Sequence, residues 1–159
     1  MKNILLIVFI CFFPLTSLDK NNDDLNKYEV EIAEIGKAGT LVIRTWCYNK
    51  KAVISDDKFK ECAIKGVLFK GLDDSGRMKG RKALVEAGYE SHKDYFDSFF
   101  KKGEYQKYAR IAMDGYVEEN NIMKVGKLYK VAKLVVVSYN DLRSRLEKDN
   151  IIKGLNNGF

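Results

Sequence analysis

Apolar and acidic residues alternate over Tyr28–Ile32 (YEVEI), so every second side chain has the same character. A period of two gives a strand with one wet face. After Gly36-Lys37-Ala38-Gly39, the run Thr40–Tyr48 (TLVIRTWCY) is dense in β-branched and aromatic residues, as strands are. The short glycine-containing link joins the two as a hairpin. In the second strand Leu41, Ile43, Thr45 and Cys47 share one face, and Val42, Arg44, Trp46 and Tyr48 the other.

From Ser55 the period becomes helical. Ser55 reads as an N-cap, Asp56 and Asp57 as first-turn charge favoured by the helix dipole. Phe59, Cys62, Ala63 and Val67 fall on one stripe of a helix that ends near Gly71. Residues 71–82 (GLDDSGRMKGRK) mix glycines with both charge signs and read as a long surface loop. Ser91 is placed as the cap of a second helix, with Tyr95, Phe96, Phe99 and Phe100 on a broad apolar side and Gly103 at its end.

Residues 104–110 are expected to form a short helical turn, Ile111–Val117 a third strand and 118–121 a turn. Leu128–Tyr139 (LYKVAKLVVVSY) is the strongest strand pattern of the chain. Asn140 and Asp141 open a last helix with Leu142 and Leu146 on one face, and in the tail Ile151, Ile152 and Leu155 are candidates to dock. The order β-β-α-α-β-β-α predicts a two-layer α+β domain over residues 28–159, an antiparallel sheet of about four strands with helices on one face.

The N-terminal pattern is of another kind. Lys2 is followed by an unbroken apolar run, Ile4–Phe13, then Pro14 and the small residues Thr16 and Ser17. A charged start, a short apolar stretch and a small-residue exit describe a secretory signal peptide over residues 1–17. The run is too short for a membrane span, which needs about twenty apolar residues. Residues 18–27 are polar and expected to be a flexible lead-in. Cys11 lies inside the apolar run, where a lipid-anchor cysteine does not belong. The expected location is therefore export, to the periplasm or cell envelope, with no transmembrane span in the mature chain.

The 159 residues carry 28 Lys+Arg against 22 Asp+Glu, a net charge of +6 that loss of Lys2 lowers by one. Acidic residues are interspersed and no basic run exceeds two residues, so the charge speaks first of a solvated surface. Nucleic acid is disfavoured as a partner. An acidic polymer or lipid head group is the electrostatic alternative, and Arg77, Lys79, Arg81 and Lys82 in the 71–82 loop are the candidate ligand-binding residues.

Cys47 and Cys62 remain after export, where the compartment is oxidising. They form either one disulfide or a pair of small buried hydrophobes, and Cα separation decides between them. Two cysteines and the single His92 fall short of a structural zinc site, so no metal is expected. No nucleophile–base set is identifiable around His92, and no cofactor motif stands out. Gly71-x4-Gly76 lacks the Lys-Ser/Thr of a phosphate loop, since Arg77 and Met78 follow. The neighbouring carboxylates Asp56-Asp57, Asp73-Asp74 and Glu118-Glu119 point apart and make no acid/base pair. The terminal Phe159 resembles the end of an outer-membrane barrel, but the chain has too few alternating strands for one.

The segments GKAGTLVIRTWCYNKK (36–51), AIKGVLFKGL (63–72), VGKLYKVAKLVVVSYNDLRSRLE (125–147) and IIKGLNNGF (151–159) resemble a family of small, uncharacterised exported bacterial proteins. More distantly, the element order is similar to the N-terminal domain of flagellar assembly protein T and to curli-associated small outer-membrane lipoproteins. That resemblance implies a non-enzymatic envelope role in assembly or secretion, with an envelope protein as partner. It brings no site residues, and this chain lacks a lipid-anchor cysteine at its mature start. The expectation is an exported binding or scaffold protein; the alternative is a binder of an anionic envelope ligand through the basic loop.

Overall fold

The computed structural model describes residues 27–112 and 121–154. The proposed signal peptide, residues 18–26, residues 113–120 and residues 155–159 lie outside the described residues.

The chain folds as an α+β domain around a five-stranded sheet in which every strand pairing is antiparallel. Strands β1 (Tyr28–Ile35) and β2 (Leu41–Asn49) form the expected hairpin, with Ala38 and Gly39 both at positive φ in the link. β2 pairs along its whole length with β5 (Leu128–Val137). The other edge of β5 carries two short strands end to end: β3 (Ala109–Ile111) against Val135–Val137 and β4 (Ile122–Val125) against Leu128–Val131. The sheet thus has one strand more than the order of elements predicted.

The extra strand arises at Val125-Gly126-Lys127-Leu128, a two-residue hairpin with Gly126 at φ 60°. Glycine at the first central position of a two-residue turn matches strand twist. The third strand also starts earlier than expected: residues 104–110 split into a 3-10 turn, Glu104–Tyr108, and the start of β3.

Helix α1 (Asp56–Lys65) is capped by Ser55, whose hydroxyl accepts from the Lys58 amide. It widens into one π turn over Gly66–Lys70 and stops at Gly71, whose φ of 84° suits glycine. Helix α2 (Lys93–Lys101) follows a 3-10 turn at Tyr89–His92. Ser91 is not its cap: its hydroxyl donates to the Gly88 carbonyl at 2.6 Å, inside the preceding turn. Helix α3 (Tyr139–Lys148) begins at the residue expected to end the last strand.

All three helices cover one face of the sheet. Leu41, Ile43 and Cys47 of β2 and Val131, Val135 and Val137 of β5 join Phe59, Cys62, Phe96, Phe99, Leu142 and Leu146 in one core, and Ile151 and Ile152 of the tail pack on its margin. The opposite face carries a polar lattice beside the apolar residues Val42, Leu134 and Val136. Glu29 accepts from Lys130 Nζ and from Tyr48 Oη, both at 2.6 Å, Arg44 pairs with Glu31 at 3.2 Å, and Lys130 lies 4.9 Å from the Trp46 ring. No helix among the described residues is long and apolar enough to cross a membrane.

Candidate functional site

The basic segment 71–82 is not a free loop. Leu72 is buried and exchanges two backbone hydrogen bonds with Arg81, at 2.8 and 3.0 Å. Ser75 and Met78 exchange two more around the turn at Gly76-Arg77. Asp73 reaches sideways to β1: its amide donates to the Val30 carbonyl, and its carbonyl accepts from Ile32. This short parallel bridge covers part of an edge strand that would otherwise expose unpaired backbone groups. Gly80 permits the closure, because a Cβ there would meet the Leu72 carbonyl oxygen at 2.0 Å. Asp74, expected to be solvated, accepts from the Gly80 amide.

The pinned hairpin separates the four candidate residues. Arg77 is at the exposed turn and Lys79 is exposed beside it. Arg81 and Lys82 stand at its base, where the chain returns to the core: the Leu84 amide donates to Val67 and the Val85 amide to Leu68, at 3.0 and 2.9 Å. There they line a cavity of about 700 Å³ with Leu84, Val85, Tyr139, Arg143 and Lys153, while Arg77 and Lys79 do not reach it. The Arg81 guanidinium lies 4.9 Å from the centre of the Tyr139 ring, a cation–π contact.

The cavity has an apolar floor and a basic rim. Leu84, Val85 and the tail residues Ile151 and Ile152 supply hydrocarbon; Arg81, Lys82, Arg143 and Lys153 supply positive charge, against Glu86 as the one acidic lining residue. Arg143 is paired with Glu147 at 2.8 Å. Arg81, Lys82 and Lys153 have no carboxylate partner among the described residues. Unpaired cations above an apolar surface suit an anion that carries a hydrophobic part.

Sequence reasoning missed Tyr139, Arg143 and Lys153. Tyr139 and Arg143 stand four residues apart on α3, so their shared face is a local signal. That the base of the 72–81 hairpin comes to lie opposite that face depends on packing between distant parts of the chain.

A second cavity of about 530 Å³ lies beside the Gly126-Lys127 turn, lined by Lys27, Tyr48, Lys50 and Lys127. Lys27, placed in the flexible lead-in by the sequence, sits 5.4 Å from the Tyr48 ring. Burial and the hydrogen bond to Glu29 push the Tyr48 phenol up; hydrogen bonds from Lys130 and Tyr48 hold the Glu29 carboxyl below its ordinary value. Those groups are engaged with one another. Among the described residues, no three His, Cys, Asp or Glu side chains gather as a metal-binding group. Cys47 and Cys62 are both buried, as unbridged thiols in the one core.

No protein-family model matches the chain, and no curated protein and no solved structure matches it significantly.

Proposed function

We propose that this domain is a non-enzymatic binding module of the cell envelope, exported through its N-terminal apolar run, that takes an anionic amphiphile into the Arg81–Tyr139 cavity. The observation that carries the reading is the convergence of Arg81, Lys82, Arg143 and Lys153 over the hydrocarbon of Leu84, Val85, Ile151 and Ile152. The head group is held by charge and the chain by burial, and only the first of these is screened by salt. The ligand class is a lipid-like anion, and Arg77 and Lys79 contribute only general positive potential.

The test is calorimetric titration with a short-chain anionic phospholipid below its micelle concentration, beside its zwitterionic counterpart. The anionic lipid is expected to bind, more weakly as salt rises. The Arg81→Ala/Lys82→Ala double variant should lose binding by tenfold or more, and Arg77→Ala/Lys79→Ala should hold it within about twofold. Equal binding by both double variants would remove the cavity from consideration.

A second reading, a scaffold for an envelope protein, is favoured by β4. This edge strand leaves Ile122, Met123 and Val125 39%, 42% and 49% exposed. An apolar edge is a template for strand addition by a partner. Crosslinking in the native envelope should then capture a stoichiometric protein that Met123→Lys/Val125→Lys loses; recovery of the chain alone would count against this reading.

A further inference from the structure

Two thiols face each other across the main helix–sheet contact, and neither takes part in the proposed binding site. Cys47 belongs to the core-facing set of β2, cross-strand from Tyr28 and Val131. Cys62 lies on the sheet-facing stripe of α1, one turn before Gly66, which packs against Val30 of β1. The residues are 0% and 2% exposed, and both belong to the one buried core that joins β2 to α1.

We infer that Cys47 and Cys62 are a dithiol that closes into an intramolecular disulfide joining β2 to α1, by exchange with a low-molecular-weight disulfide such as oxidised glutathione. Cys62 gives up its proton and attacks one sulfur of the reagent, whose S–S bond breaks to release one glutathione thiol. Cys47 then loses its proton and attacks the Cys62 sulfur of the mixed disulfide, releasing the second glutathione. The protein loses two electrons and two protons, and the two glutathione molecules carry them away. The order follows from the surroundings. The neighbouring Cys62 thiol and then burial push the Cys47 thiol up, whereas the Cys62 thiol is drawn down by Cys47 and, against its own burial, by the ammonium of Lys58. Because both sulfurs are shielded from solvent, exchange proceeds through brief, partial openings of the α1–β2 contact.

The bridge would close a loop running from the end of β2 through the first two turns of α1. A cross-link over a loop of that length lowers the unfolding equilibrium constant by about a hundredfold.

The test uses the full chain carrying Cys11→Ser, so that Cys47 and Cys62 are the only thiols. The folded protein is equilibrated with oxidised and reduced glutathione, quenched with acid, unfolded, treated with N-ethylmaleimide and weighed intact. The expected product has lost two hydrogen atoms, carries no glutathione and takes no maleimide; after reduction it takes two. The same chain held in denaturant with the same glutathione mixture should be bridged to a ratio about a hundredfold smaller, as the linkage between bridging and folding requires. Two free thiols in the folded protein, or equal bridging of folded and unfolded chains, would overturn the inference. A Cys47→Ala variant should stop at one glutathione on Cys62; absence of that adduct would reverse the assigned order.

Discussion

Gly66 lies directly against Val30: a Cβ on Gly66 would come within 2.5 Å of Val30 Cγ2 and 2.8 Å of its Cγ1. The contact lets the end of α1 approach β1 closely, at the point where the helix widens into its π turn. Val30 is a β-branched strand residue, 1% exposed, with little freedom to move aside.

Gly66→Ala is therefore expected to destabilise the domain. Alanine gains about 1 kcal/mol of helix propensity over glycine, but overpacking a closed core costs about 1–3 kcal/mol. A net loss of about 1 kcal/mol should appear in urea denaturation, and Val30→Ala should relieve it when combined with Gly66→Ala. A more stable single variant would show that the helix end can shift.

Thr45 should respond in the opposite direction. Its Oγ1 is the one buried side-chain polar atom without a hydrogen-bond partner among the described residues. Desolvating such a group costs about 1–3 kcal/mol. Valine keeps the shape and removes the orphan hydroxyl, so Thr45→Val is expected to stabilise by about 1 kcal/mol. Thr45→Ser keeps the hydroxyl and loses a methyl group, and should destabilise. Denaturant midpoints of the two variants give the comparison directly.

The Glu29 lattice predicts a pH dependence. Hydrogen bonds from Lys130 and then Tyr48 hold the Glu29 carboxyl below its ordinary value of 4.5. A depressed carboxylate stabilises the folded state fully above its unfolded pKa and ceases to do so as pH falls through the folded one. The stability gap between the protein and Glu29→Gln should be widest near neutrality and narrow as the solution is acidified below the ordinary value of 4.5. Thermal midpoints across that range test it; a gap that widens in acid would place the dominant titration elsewhere.

Much of this fold was legible from local pattern. The core face of β2, the Ser55 cap and the buried stripe of α1 stand where periodicity put them, as do Leu142 and Leu146 on α3. The hairpin at Gly126-Lys127 has a local signal too, a glycine between two apolar runs. Other features left no such trace. The bridge between Asp73 and β1 uses backbone groups that every residue other than proline shares, so no side-chain type announces it. The basic segment consequently read as solvated, although its base is fixed against the core.

By itself the sequence determined which side of each element is apolar, and hence an antiparallel sheet with helices over one face, because burial acts on residues two, three and four positions apart. Only the tertiary structure decided which distant residues meet. It set Arg81 and Lys82 beside Tyr139, Arg143 and Lys153, left Arg77 and Lys79 outside, and placed Cys47 and Cys62 in the one core. Those meetings follow from how whole elements pack and pair, and hydrophobic periodicity, which says only that a face must be covered, does not specify what covers it.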